Sequence, residues 1–343
     1  MARHPSIVIW YCTTRCAYLC KHCCRYEMRS LKEVDTKTAK RIIKSIAEAN
    51  PKVLAFSGGE PLLRKDIAYL IKYARDLGLK LAIDIRSAEL TDEMASLLSR
   101  EEVHACISLD AISPSITDDI CGFKGAHERI MRTIRKCKEF GIPFGIDSAV
   151  LKSNAEEIPK LTELTEELGG STHHVSIVVP LGKALKNWDS IVPTSSQILY
   201  LYRKMYEQQK KRRIDVTFYE PTYARFLKEQ GEEPPEWLKC KIGKRLHIDV
   251  DGSVIPCSRA WTPTVGNVLE KPLNEIYEEV SNSEFFKRLR NPKELEGACS
   301  SCEYGDVCGG GCRVRAYMLT GNWFTQDPLC PYATMKARNI HKD

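Results

Sequence analysis

Apolar and polar positions along the first half of the chain follow two alternating periods. Short apolar runs that read as strands cover residues 5–12 (PSIVIWYC), 52–61 (KVLAFSGGEP), 79–86, 104–110, 142–150 and 174–180. Between them, segments with an apolar residue every three or four positions read as amphipathic helices over 36–49, 66–77, 91–99, 126–140 and 155–168. Parallel strands need a long crossover, usually a helix, so this alternation predicts a parallel sheet built from βα units. Six units in about 180 residues predict an α/β fold of the partial (β/α)6, TIM-like barrel kind. Its chemistry is expected at the C-terminal ends of the strands, as in complete βα barrels.

The pattern changes after Pro180–Ala184 (PLGKA). A polar helix is predicted around 195–212, and RLHIDVDGSVIPC (245–257) reads as a hairpin turning at Asp251–Gly252. From Cys240 onward cysteine and glycine dominate and no adequate apolar core is visible, so this region needs staples. The expected organisation is a barrel core over 1–190, a helical bridge over 191–235 and a small cysteine-rich domain over 236–343.

Ten of the fifteen cysteines supply those staples in two arrays. Cys16, Cys20 and Cys23 form C-x3-C-x2-C directly after the first strand. Cys299, Cys302, Cys308 and Cys312 form C-x2-C-x5-C-x3-C, with Cys240 and Cys257 before them and Cys330 after. The first array offers three thiolates to a cluster that takes four ligands, which leaves one iron of a [4Fe–4S] cluster open to a ligand. Zinc is the alternative: Cys12 or Cys24 would complete an N-terminal site, and His247 would be the eighth ligand of two C-terminal ones. Cys106, Cys121 and Cys137 read as buried thiols, with Cys121 in reach of the barrel mouth. At the end of the second strand, Gly58 and Gly59 let the backbone approach a ligand, and Glu60 beside them suits a ligand ammonium.

Bulk properties narrow the class further. A net charge of +6, spread along the sequence, lacks the clustering that nucleic-acid binding requires. The opening apolar run is too short for a signal peptide, and no stretch approaches the ~20 apolar residues of a membrane span. A cytoplasmic location with reduced thiols is therefore expected, without nucleic-acid or membrane partners.

With its C-x3-C-x2-C loop and Gly58-Gly59-Glu60 motif, the chain resembles the radical AdoMet (radical SAM) superfamily over residues 5–185. The resemblance implies a [4Fe–4S] cluster on Cys16, Cys20 and Cys23, whose open iron is chelated by the methionine part of S-adenosylmethionine. The Gly58–Glu60 motif would contact its amino group, and reductive cleavage would give a hydrogen-abstracting 5′-deoxyadenosyl radical. Ser108 and Asp110 at the fourth strand end and Asn154 after the fifth match cofactor-contacting positions, while Asn154 reads equally as a helix cap. His22 stands where an aromatic residue usually precedes the third cysteine, and Arg86–Ser87 stands where Asn-Gly is common. PLGKA resembles the segment that follows the sixth strand in the family.

The C-terminal array resembles the SPASM domain, which carries two auxiliary iron–sulfur clusters. That resemblance assigns Cys240, Cys257 and Cys312 to the first and Cys299, Cys302, Cys308 and Cys330 to the second. The first then has either a further ligand or an open iron. Auxiliary clusters suit oxidative outcomes, because the substrate radical must lose an electron; relay toward the AdoMet cluster or substrate ligation are other uses.

The run CEYGDVCGGGCRVRAY (302–317) is similar to enzymes of heme and heme d1 biosynthesis and to the pyrroloquinoline quinone and mycofactocin maturases. The expected function is a maturase acting on a peptide, protein or protein-associated cofactor. Porphyrin side-chain modification is the alternative, and a non-catalytic iron–sulfur electron carrier is the alternative of another class. The cysteine loop begins about fifteen residues in, leaving no room ahead of it for a peptide-recognition winged helix. Expected partners are a ferredoxin or flavodoxin as electron donor and a peptide, protein or small-molecule substrate.

Overall fold

The computed structural model describes residues 5–260 and 263–333. Seven parallel strands follow one another in chain order: β1 (Ile7–Thr13), β2 (Val53–Gly58), β3 (Leu81–Ile85), β4 (His104–Ser108), β5 (Phe144–Val150), β6 (Thr172–Ile177) and β7 (Asp215–Phe218). The helices α1 (Thr36–Glu48), α2 (Ile67–Asp76), α3 (Asp92–Arg100), α4 (Pro114–Cys121), α5 (Ala126–Glu139) and α6 (Ile158–Glu167) make the crossovers. The mixed α/β architecture with a parallel sheet is the one the periodicity predicts.

α1 shows why these segments fold as they do. Asp35 caps it by accepting the Thr38 N–H at 2.8 Å. Its apolar residues Ala39, Ile42, Ile43 and Ile46 recur at helical spacing and are fully buried together with Val8, Trp10 and Phe56 of the sheet. Each such isoleucine contributes roughly 1.5–3 kcal/mol relative to exposure. An Ile43→Asp change would place a charge in this interface and break it.

Each strand divides into two faces. Trp10, Phe56, Ile83, Ile107, Ile146 and Val175 are fully buried on the helix-covered side. Tyr11, Ser57, Asp84, Cys106, Asp147 and His174 occupy the alternate positions that line the interior. A complete barrel fills its interior with layers of branched aliphatic residues. Here the lining is polar and ionisable in place of aliphatic, and this polar interior is the lumen.

The stretch read as a helical bridge, 191–235, contains more than helices. It holds the helix Ser195–Lys211, but also β7, which pairs in parallel with β6. The segment IDVTF escapes the periodicity because it is short and flanked by charged residues. The predicted hairpin forms between β8 (His247–Ile248) and β9 (Ser253–Ile255), with Gly252 at φ +86°. It docks on the open edge of β1 in parallel register, Ile9 against His247 and Trp10 against Ile248. With β10 (Gly266–Asn267) the sheet reaches ten strands, so the cysteine-rich region continues the barrel sheet.

A buried charge cluster ties the two regions together. Arg315 is fully buried and donates to Asp327 at 2.5 and 2.7 Å and to Glu220, just after β7, at 2.8 and 3.1 Å. Asp327 also accepts the Cys312 N–H at 2.7 Å, which carries the tie to a cysteine of the array. Gly311 permits this approach: a Cβ there would lie 2.5 Å from the Asp327 Cβ.

Candidate active site

The cysteine loop leaves β1 at Thr13 and is held from three sides. From β2, the Gly59 N–H donates to Thr13 O at 2.9 Å and the Glu60 N–H to Arg15 O at 2.6 Å. A Cβ on Gly59 would sit 2.1 Å from Arg15 O, which is why this position is glycine. From α4, the carbonyls of Ile120 and Cys121 accept the N–H groups of Lys21 and Leu19 at 2.8 and 3.1 Å. From PLGKA, the Lys183 N–H donates to Cys23 O at 3.0 Å and its ammonium to Leu19 O at 3.0 Å.

This frame gathers Cys16, Cys20 and Cys23 around Tyr18, Cys121 and Phe123 in one small cluster. None of the three forms a disulfide. The Cys121 thiol donates to the Cys20 sulfur, which holds Cys20 below the ordinary thiol range against the opposing effect of burial. Arg86 and His22 add positive potential in the same direction. Burial pushes Cys23 up to about 12, helped by the nearby charges of Cys24 and Cys20. The Tyr18 hydroxyl, His22 Nδ1 and Arg86 Nε are buried without hydrogen-bond partners among the described residues. Three free thiols beside unpartnered donors and a guanidinium fit an anionic thiolate-bound cluster and an acceptor-rich ligand.

The remaining cofactor-contact expectations divide. Glu60 is fully buried, and its Oε2 accepts the N–H groups of Arg86, Ser87 and Ala88 at 2.8, 2.5 and 3.1 Å. Its Oε1 faces the Leu62 N–H at 3.4 Å. A buried anion takes the nearest donors, and the β3 loop presents three in succession to Oε2, while Oε1 keeps acceptor capacity beyond the long Leu62 contact. Asp110 is likewise committed, to the Ala149 N–H at 2.8 Å and to the Arg86 guanidinium. Asn154 bonds Asp110 O at 2.6 Å, Ala149 O at 2.8 Å and the Leu151 N–H at 2.7 Å. It ties the β4 and β5 loops together instead of capping α6. Ser108 ends β4 half-buried on the lumen side. Ser87 accepts the Ala17 N–H at 3.3 Å and lies 3.4 Å from Cys16 Sγ.

Cys12 does not join this group. It is fully buried on the helix-covered face of β1, with its thiol toward Ser57 O at 3.5 Å. Cys24 packs against the same hydrophobic cluster as Cys12, within the potential of Arg25 and Arg259. Tyr11 sits between the N-terminal and C-terminal arrays. Arg25 lies 4.2 Å above its ring, its hydroxyl is 3.4 Å from His247 Nδ1, and the charges of Cys24 and Cys257 both reach it. Burial depresses His247 to about 3, so the imidazole is neutral.

Tertiary structure divides the C-terminal cysteines into two groups. Cys240, Cys257 and Cys312 interact through their charges beside Arg259, and burial pushes Cys257 up to about 12. Cys299, Cys302, Cys308 and Cys330 line one cavity together with Tyr304 and Tyr332. Burial raises Cys308 and Cys330 to about 11. Four thiols facing one cavity beside the buried, unpartnered Tyr332 hydroxyl fit a four-thiolate cluster.

A family model described as "Radical SAM superfamily" matches residues 10–165, and one described as "Iron-sulfur cluster-binding domain" (SPASM) matches residues 240–303. The AdoMet-dependent heme synthase of Methanosarcina barkeri is 33% identical, covering 97% of this chain and 98% of the relative. The PqqA peptide cyclase of Bradyrhizobium diazoefficiens is 29% identical over 95% of this chain and 86% of its own. Streptococcus suis SuiB bound to its precursor peptide SuiA superposes with a TM-score of 0.74 at 18% identity, covering 96% of this chain and 76% of that one. Among the described residues no helix is long and apolar enough to cross a membrane.

Proposed function

The chain belongs to the radical SAM superfamily and carries a SPASM iron–sulfur module, and from that premise we propose that it oxidatively matures a peptide, protein or protein-associated cofactor. It is a radical SAM enzyme. When bound, its [4Fe–4S] cluster supplies the electron that splits S-adenosylmethionine into methionine and a 5′-deoxyadenosyl radical.

The chain's own residues would act as follows. Cys16, Cys20 and Cys23 hold that cluster, with the Cys121 thiol and Arg86 stabilising the Cys20 thiolate. Gly58 and Gly59 present backbone to AdoMet at the β2 end, and Ser108 faces it from β4. Glu60, Asp110 and Asn154 are positioning residues that shape the β3, β4 and β5 loops. Cys240, Cys257 and Cys312 would hold one auxiliary cluster, and Cys299, Cys302, Cys308 and Cys330 the other. Residues 1–190 would be the catalytic core and 236–343 the auxiliary module, with a ferredoxin or flavodoxin as electron donor.

The observation that carries the oxidative reading is the contact chain between the two regions. Tyr11 lines the lumen, and its ring stacks on His247 of the cysteine-rich region at 5.9 Å with its hydroxyl 3.4 Å from His247 Nδ1. A substrate radical formed in the lumen would lie next to the region that carries the auxiliary cysteines, whose cluster would take its electron. For the substrate, the acidic lumen residues Asp84 and Asp147 disfavour insertion of a carboxylate and favour a neutral or cationic side chain. Full-length similarity to the PqqA peptide cyclase supports the same reading.

A second reading, porphyrin side-chain modification, draws on the full-length similarity to the heme synthase. Tyr219, flanked by Trp237 at 5.4 Å and Arg245 at 5.7 Å, would suit a flat, carboxylate-rimmed substrate. The test is anaerobic 5′-deoxyadenosine formation with reductant and AdoMet, stimulated by host extract split at a small-molecule cutoff. Stimulation by the retained fraction supports the peptide or protein substrate; stimulation by the low-mass fraction or an added iron porphyrin overturns it for the second reading. Replacing Cys16, Cys20 or Cys23 by Ala abolishes the activity in either case.

A further inference from the structure

Away from the cysteine arrays, the lumen contains a second group of metal-ligating side chains. Asp84 of β3, Cys106 of β4 and Asp147 of β5 each offer one ligand atom, and the three atoms lie within 4.8 Å of one another. Strand register produces this meeting. Asp84 pairs with Cys106, and Asp147 pairs with Ser108, two residues further along the same face of β4. On β6, His174 pairs with Asp147, and its Nδ1 lies 3.1 Å from Asp147 Oδ1. Ser57 donates to the other side of Asp84.

Among the described residues no Lys or Arg forms an ion pair with Asp84 or Asp147; His174 is the sole ion-pair partner of Asp147. The Cys106 thiol makes no hydrogen bond among the described residues, and the charges it meets are those of Asp147 and Asp84. Two carboxylates and a thiol whose ligand atoms lie within 4.8 Å of one another repel when ionised, and a cation between them would relieve that repulsion. A thiolate among the donors selects a borderline transition metal over magnesium or calcium. Metal–sulfur and metal–oxygen bonds of about 2.3 and 2.0–2.2 Å require ligand separations well inside the observed limit.

We propose that Asp84, Cys106 and Asp147 form a mononuclear divalent metal site of the zinc class inside the barrel. His174 holds Asp147 in its ligating orientation, and three protein ligands leave a coordination position open to the lumen. That position would bind a neutral carbonyl oxygen of the substrate and orient the carbon that loses hydrogen. The site involves no electron transfer, and its metal binding is read without substrate.

The experiment uses the anaerobically reconstituted holoenzyme, loaded with zinc chloride, desalted, and analysed for zinc, iron and sulfide. The expected result is one zinc per chain above the cluster metal, lost in Asp84→Asn and Cys106→Ala while iron and sulfide stay at wild-type levels. His174→Ala is expected to keep the ligands but weaken zinc binding roughly 10- to 100-fold. Cobalt replacing zinc is expected to give a high-spin EPR signal against the diamagnetic oxidised clusters, absent from Cys106→Ala. Zinc retention equal in wild type and in variants of unchanged iron content, or no zinc retained by wild type, overturns the proposal.

Discussion

Glu60→Ala tests whether the carboxylate works through the β3 loop. The substitution removes the acceptor of three backbone N–H groups, those of Arg86, Ser87 and Ala88, at 2.5–3.1 Å. A buried donor left unsatisfied costs about 1–3 kcal/mol. Water entering the vacated space recovers part of that, so a local cost of roughly 2–4 kcal/mol is expected. The loosened segment carries Arg86, which pairs with Asp110 beside Cys20. If a third to a half of the cost couples to the bound cofactor, AdoMet affinity falls about tenfold, since 1.4 kcal/mol is one decade. The assay is anaerobic equilibrium dialysis of AdoMet against reconstituted wild type and variant, with iron and sulfide measured in parallel. Affinity is expected to fall while cluster content is retained, and Glu60→Gln, which keeps one acceptor oxygen, should lie between. An AdoMet analogue lacking the amino group separates the two roles. Acting through the loop, the substitution weakens the analogue by the same factor as AdoMet. If the analogue binds variant and wild type equally, Glu60 holds the ammonium directly and the argument from the loop is refuted.

Other expectations concern the auxiliary array, the interdomain tie and pH. Cys302→Ala should spare AdoMet cleavage in the absence of substrate yet block product formation; normal product yield would reduce that cluster to a structural role. Arg315→Met strands Glu220 and Asp327, whose side chains are at most 1% exposed, and should lower unfolding free energy by about 3–5 kcal/mol in denaturant titrations. Adding Glu220→Leu should recover part of it. His173 is fully buried between Ser148 and Thr162, at 2.9 and 2.8 Å, and burial depresses it from 6.5 to about 3. The folded state then binds fewer protons than the unfolded one, so this stability is present above pH 6.5 and lost as pH falls toward 3. The stability difference between wild type and His173→Gln should shrink by about 2 kcal/mol from pH 7.5 to pH 5. A constant difference across that range would mean that the imidazole protonates in the folded state.

Much of the site was legible along the chain because its chemistry is local. Cys16, Cys20 and Cys23 lie within one loop, and Gly58–Gly59 declare a close approach that the 2.1 Å clearance at Arg15 O explains. The role of Glu60 was less legible. Nothing near the two glycines announces that the β3 loop, 26 residues further along, will bring its N–H groups to this carboxylate. Arg313 and Arg315 passed unnoticed although both are fully buried, since nothing in C-R-V-R announces that Glu220 and Asp327 will converge on one of them. β7 was missed because four residues among charged neighbours carry too little periodicity.

The sequence by itself determined the alternation of strands and helices, the parallel sheet, the hairpin at Asp251–Gly252 and the two cysteine arrays with their radical SAM and SPASM resemblance. Each depends on spacing within a few turns of chain, where backbone geometry and side-chain period act directly. Only the tertiary structure decided that the hairpin extends the barrel sheet along β1, that Cys12 is buried on the helix-covered face, and that Asp84, Cys106 and Asp147 meet in the lumen. Those outcomes depend on strand register and sheet curvature, and shifting a strand by one residue would exchange its two faces.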